Sequence, residues 1–306
     1  MAFTGPVSRR GEEVSMSQFK FVSYAKVKSI YWIRSLKVHE IGSTERVFDD
    51  LMPYLFSKQI PIAVRDVETA DELRAALDEV LEFAKAGGAP VLHFDTHGEK
   101  ADGIFIASSQ ECVGWPEIAT RLREINVAMG NNLIVVSAAC SSFHLVFQND
   151  INKPVMFYIM IGPPEPISFG YVEAAMFKFY EHLFDIGDIT EAYDKYLAPD
   201  MKLLHCERLL TIVMARYFND NCMGSGLQRR VEKVITDAIT IYGKPNTPPN
   251  LKLMRSLARQ QFKPSAEVFD RWAKKFLIGK TPGVTFEQVL DLVRKGKIRN
   301  QLRKKR

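Results

Sequence analysis

The sequence predicts an α/β fold, a mostly parallel sheet flanked by helices, followed by an all-helical C-terminal region. Three observations carry this. Between residues 26 and 200, strand-like apolar runs alternate with segments of helical periodicity, the pattern of a parallel sheet covered on both faces. Beyond residue 200 the strand signal fades while apolar residues keep recurring at helical spacing. The chain has 306 residues, 46% hydrophobic and 25% charged, enough to bury one large core or two modest ones.

The strands expected in order are VKSIYWIRSL, IPIAVRDV, APVLHFD, NLIVVSAA and KPVMFYIMI. The clearest helix begins at Thr69, with Glu72 three residues on as a capping box, and lines up Leu73, Leu77, Val80, Leu81 and Ala84 before stopping at Gly87 and Gly88. A second starts at Pro116 and aligns Ile118, Leu122 and Ile125. DGIFIASSQECVGW interrupts the alternation as a small hairpin, because Ile104 and Ile106 alternate with small residues ahead of a polar turn. After the last strand, Val172, Ala175, Met176, Phe179, Tyr180 and Leu183 form a core stripe at helical spacing. Helices are then expected at 203 to 218, 227 to 242, 251 to 262, 265 to 278 and 285 to 295, broken by the proline-rich linker GKPNTPPN. The expected organisation is a polar leader at 1–19, an α/β domain at 20–200 and a helical region at 201–306 that ends in a basic tail.

The formal charge of +5 belongs to that tail: residues 294 to 306 hold eight of the 41 basic residues and no acidic one, leaving 33 basic against 36 acidic elsewhere. Nucleic acid is therefore not indicated beyond the tail. No apolar run reaches the roughly 18 residues of a membrane span, and the start lacks the apolar segment of a secretory signal. Cys112, Cys140, Cys206 and Cys222 stand without a CxxC or a Cys/His spacing suited to zinc, so neither a disulfide framework nor a metal site is expected. A cytoplasmic location and no cofactor fit this composition. No strand is followed by GxGxxG or GxxxxGK[ST], which disfavours a nucleotide-binding module.

Ligands of an open parallel sheet bind outside the carboxyl ends of its strands. Two reactive side chains fall there, His97 after the third strand and Cys140 after the fourth. An imidazole can take the proton of a thiol, hold the thiolate that attacks an acyl carbon, and later protonate the leaving amine. The N–H groups of Gly98 and Cys140, read as loop positions, are the candidate oxyanion donors, and the glycine is explained as leaving room for the substrate carbonyl. His144, one turn past Cys140, is a second candidate base. His93, inside its strand, reads as a core residue, Asp95 as a turn hydrogen-bonder and Glu99 as solvated.

At these residues the chain resembles the caspase-like cysteine peptidases, the group of caspases, metacaspases, separases and CHAT domains, with CHAT domains the closest. VLHFDTHG is similar to their His-Gly strand, GIFIASSQECVGWPEIATRL to the hairpin and helix that follow, LIVVSAACSS to their nucleophile strand, and YVEAAMFKFYEHLFDIGDITEAYDKY to their next helix. The resemblance covers about residues 26 to 200; the C-terminal third has no counterpart. It departs after the nucleophile, where Ser142 stands in the place of a common glycine.

The resemblance implies a caspase-like peptidase domain in which His97 and Cys140 form the catalytic dyad of an endopeptidase. It also implies a protein or peptide substrate, a regulatory protein partner, and a bacterial regulatory or defence pathway. Substrate selection is expected from Glu165 in IGPPEPIS, which would favour a basic residue as in separases, or from Arg34 at the end of the first strand, which would favour an acidic one as in caspases. The competing reading is a catalytically inactive module that keeps the fold and binds a partner as a scaffold component.

Overall fold

The computed structural model describes residues 21, 23–24, 27–37, 40–243 and 247–295. The expected leader at 1–19 and all of the basic tail beyond Lys295 lie outside the described residues. Strands β1 (Ser29–Ser35), β2 (Ile62–Asp66) and β3 (Pro90–Glu99) lead to a hairpin of β4 (Gly103–Phe105) and β5 (Cys112–Val113), and then to β6 (Ile134–Ser137), β7 (Ile159–Gly162) and β8 (Lys202–His205). Helices α1 (Ile41–Lys58), α2 (Ala70–Lys85), α3 (Trp115–Ala128), α4 (Phe169–Ile186) and α5 (Ile189–Tyr196) connect them. The main sheet runs in the order β2-β1-β3-β6-β7-β8; β1, β2, β3, β6 and β7 are parallel neighbours, whereas β8 is antiparallel to β7.

The inner strands β1, β3, β6 and β7 are rich in β-branched, aromatic or other large apolar residues and are buried along most of their length, which suits a pleated surface covered on both sides, whereas the edge strand β2 is half-buried and ends in Arg65 and Asp66. In β1 six of seven residues are buried. One face meets α1 and α4: Trp32 packs against Phe48 and Tyr180, and its ring stacks on His93 with 3.7 Å between centroids. The other face meets α2 and α3, as Tyr31 shows by donating to Glu79 of α2 at 2.6 Å. Helix pairs on the same face are tied at their rims by Arg46 to Glu173 and by Arg74 to Glu117.

Helix starts follow local chemistry. Thr69 caps α2 by accepting the Glu72 N–H, but the Glu72 carboxylate takes the Glu68 N–H, so only half of the expected reciprocal box is present. Ser168 and Asp188 cap α4 and α5 in the same way.

Two segments differ from the sequence reading. Residues 202–205 form β8, a strand where only helix was expected; its four residues are too few for a periodicity to register. The strand expected over KPVMFYIMI is confined to its end, since β7 begins at Ile159.

The chain divides into two compact units. The first comprises Phe21–Cys206 with Lys275–Lys280, and the second Glu207–Lys274 with the residues from Thr281 onward. In the first unit the returning segment is anchored by Val155 N–H to the Phe276 carbonyl at 2.9 Å and by Lys280 Nζ to the Asn131 carbonyl at 2.6 Å. The second unit holds α6 (Cys206–Tyr217) but for its first residue, a single π-helical turn Phe218–Cys222, α7 (Gly224–Tyr242), α8 (Pro248–Phe262), α9 (Ala266–Phe276) but for its last two residues, and α10 (Phe286–Arg294). There Phe286 lies edge-on to Phe218 and beside Phe269, and Thr285 closes a full capping box with Gln288.

Candidate active site

The sheet order sends β1 outward to β2 and β3 the opposite way to β6, so the loops after β1 and β3 diverge and open a crevice at the carboxyl edge. β3 outlasts its neighbours there. Its pairing with β1 ends at Ser35 opposite Thr96, and residues 97–99 then pair antiparallel with β4, His97 opposite Phe105 and Gly98 opposite Ile104. The hairpin takes the side that β1 vacates, where Ser35 Oγ accepts the Ala107 N–H at 3.1 Å. The other edge of residues 97–99 meets the segment that follows β6.

That segment carries Cys140. β6 pairs with β3 up to Ser137 opposite Phe94, and the Ala138 N–H still reaches the Phe94 carbonyl at 2.8 Å. Continuing this register by three residues sets Cys140 opposite His97. The chain then turns sharply: Ser141 has φ 58°, in the left-handed region, and a 3₁₀ helix begins at Ser142 and runs to Gln148. The left-handed residue is thus the one directly after the cysteine, and Ser142 occupies an ordinary helical start. The turn is held by Ser142 N–H to the Ala139 carbonyl and Phe143 N–H to the Pro163 carbonyl. Cys140 is partly exposed at its apex.

Gly98 and Cys140 touch through their backbones. A Cβ on Gly98 would lie 2.2 Å from the Cys140 carbonyl oxygen and 3.2 Å from Cβ of Ala139. The glycine is therefore required by the cysteine's own carbonyl, a constraint separate from the expected room for a substrate. Gly98 also lies inside β3, not in a loop. The N–H groups of Cys140 and Ser141 have no acceptor among the described residues, which makes these two successive amides the available donors at this rim.

His97 faces the α1 side of the sheet in line with His93 and Asp95. Its Nε2 lies 2.8 Å from Oε2 of Glu40, the residue that precedes α1. Glu40 is absent from the sequence reading; the available signal was an acidic residue in the loop after the first strand, on the same rim as His97. Beneath His97, Asp95 is buried and accepts the Thr44 hydroxyl. Burial pushes the Asp95 carboxyl above the usual carboxylate range, opposed by the Thr44 hydrogen bond and by Arg34. Deeper still, His93 meets the Tyr180 hydroxyl at 2.7 Å through Nδ1, and full burial lowers its pKa to about 3, so the ring is neutral. The expectation of a core role suits its place; Asp95, expected in a turn, is instead a buried strand residue.

The two candidate selectivity residues lie apart. Arg34 stands opposite both Asp66 and Asp95 in the sheet register and donates twice to Asp66, at 2.6 and 2.8 Å, with its guanidinium over the Phe48 ring. Glu165 follows β7 on the far side of Cys140 and is exposed. It acts on His144 of the 3₁₀ helix: burial holds that imidazole below its ordinary range, Lys100 adds to the effect and Glu165 opposes it. His144 packs beside Phe147 with 5.4 Å between ring centroids.

Among the described residues no group of three or more His, Cys, Asp or Glu side chains is arranged to hold a metal ion, and no helix is long and apolar enough to cross a membrane. No family model and no curated protein matches the chain.

Proposed function

We propose that the protein is a cysteine peptidase that cleaves a protein or peptide substrate, with Cys140 as nucleophile and His97 as general acid and base. The observation that carries this reading is the backbone apposition of Gly98 and Cys140, which keeps the imidazole-bearing end of β3 beside the thiol-bearing turn after β6. His97 takes the thiol proton, and the sulfur attacks the scissile carbonyl carbon, forming a C–S bond and a tetrahedral oxyanion. The N–H groups of Cys140 and Ser141, which have no acceptor among the described residues, would bind that oxygen. The imidazolium then protonates the departing amine as the C–N bond breaks, and His97 activates the water that hydrolyses the thioester. The left-handed backbone at Ser141 supports the assignment, because a residue held in that region lifts the cysteine to the apex of a tight turn. Four free thiols accord with a reducing, cytoplasmic setting.

The test is cleavage of a mixed peptide library by the full chain and by Cys140→Ala and His97→Ala. Both variants should fold normally and lose roughly 10²-fold or more in rate. Full activity in either removes the assignment, and an intact chain that cleaves nothing and whose Cys140 resists acyl electrophiles would favour the inactive binding module.

A further inference from the structure

Glu40 has a role of its own at this site. Its carboxylate is fixed from two directions, since Oε2 accepts the Lys37 N–H at 2.8 Å and lies 2.8 Å from Nε2 of His97, while the Glu40 N–H closes the turn onto the Lys37 carbonyl. The side chain is 12% exposed against 28% for His97, so the contact is largely withdrawn from water. A second His–Glu contact in the same unit is different: His182 meets Glu191 at 3.1 Å, but Glu191 is 57% exposed. An ionised carboxylate only accepts hydrogen bonds, so the proton of a neutral His97 must sit on Nε2, and Nδ1 carries the lone pair.

We propose that Glu40 is the positioning residue of the dyad, holding His97 in the Nε2–H form so that Nδ1 is the nitrogen that receives the Cys140 proton. The contact bridges the crevice between the loop after β1 and the end of β3, so it also fixes the plane of the ring. This proposal rests on the reading of His97 and Cys140 as a catalytic pair.

Two measurements on the full chain test it. The first is long-range proton–nitrogen NMR correlation of the histidine rings, with the His97 signals identified by their loss in His97→Ala. The native protein should show the Nε2–H pattern, Glu40→Ala a mixture of the two neutral forms, and Glu40→Gln the native pattern, because the amide oxygen still accepts from Nε2. The second is the rate of Cys140 alkylation by iodoacetamide at neutral pH, read by peptide mass spectrometry so that the exposed Cys112 is counted separately. Loss of ring placement should slow it roughly tenfold to a hundredfold in Glu40→Ala, with recovery in Glu40→Gln. Glu40→Asp, one methylene shorter, should also slow alkylation, and it serves if Glu40→Ala fails to fold. An unchanged ring pattern and alkylation rate in Glu40→Ala would overturn the role of Glu40. If His97→Ala itself alkylates at the native rate, the dyad falls; if only His97→Ala is slow, the dyad stands and Glu40 has no part in it.

Discussion

The Cα of Gly98 is pressed against the backbone carbonyl of Cys140, so that a methyl group in the glycine's place would lie 2.2 Å from the carbonyl oxygen. Backbone cannot swing aside as a side chain can. Gly98→Ala should therefore cost about 1–3 kcal/mol of stability, the usual penalty of overpacking, or else part the two strand ends and remove Cys140 reactivity. Gly162→Ala is the control: the atom its Cβ would meet, at 2.6 Å, is the Ser142 hydroxyl, which a rotation moves away. Urea unfolding of the two variants should show Gly98→Ala as the more damaged, and equal losses would contradict this account.

Burial of His93 makes stability depend on pH. The unfolded imidazole takes a proton near pH 6.5, whereas the native ring stays neutral down to about 3. Between these values the unfolded state binds more protons, so the contribution of His93 is intact above pH 6.5 and declines as pH falls toward 3, by up to about 1.4 kcal/mol per unit. Asp95 works in the opposite sense, because its raised pKa favours the fold at low pH and loses that advantage as pH rises. The difference between native protein and His93→Gln isolates the histidine. Denaturation midpoints at pH 7 and pH 5 should converge between the two proteins as pH falls, and a constant gap would show that His93 does not titrate on unfolding.

Selectivity should follow Glu165. Arg34 is already engaged by Asp66 through two short hydrogen bonds, so gripping a substrate carboxylate would require breaking a bidentate pair. Glu165, beside the 3₁₀ helix that follows Cys140, suits Arg or Lys before the scissile bond. Cleavage after basic residues should fall about tenfold in Glu165→Ala, a loss near 1.4 kcal/mol, and further in Glu165→Arg. A library preference for Asp or Glu that is destroyed by Arg34→Glu would reverse the assignment.

A fragment ending at residue 200 should not persist as a folded domain. It lacks β8, leaving β7 as an open edge, and it lacks the Phe276 carbonyl and the Lys280 ammonium that meet Val155 and Asn131. Limited proteolysis should yield no stable product with that end point, and a soluble fragment 1–200 with a cooperative melt would refute the expectation.

Much of the sheet was legible because its signals are local. Thr69 announces a helix start, Pro116 another, and the runs through Ile30, Val91 and Val135 are too apolar for anything but buried strands. His97 and Cys140 were singled out for a different reason: both end such runs, and strand ends of a parallel sheet share one rim. Glu40 was missed because its partner is 57 residues away, and an acid in the loop after the first strand marks the rim without naming the side chain it meets. The same blindness to distant partners hid the close approach at Gly98, whose neighbour is a carbonyl that any residue at 140 would supply. Strand β8 escaped since four residues that pair only with β7 carry too little pattern of their own.

The chain leaves its first unit at Cys206 and returns to it only at Lys275. On the ribosome this detour becomes a clock. At about 5–20 residues per second, some 3–14 s of synthesis separate the two visits, and until the second one the Val155 N–H and the Asn131 carbonyl wait for partners that have not yet been made. The unit that bears Cys140 is thus finished only once Lys280 has been made, although its thiol is translated far earlier. A nascent chain carries its thiol for another 140 residues of synthesis, from Cys140 to Lys280, before the scaffold around that thiol is complete.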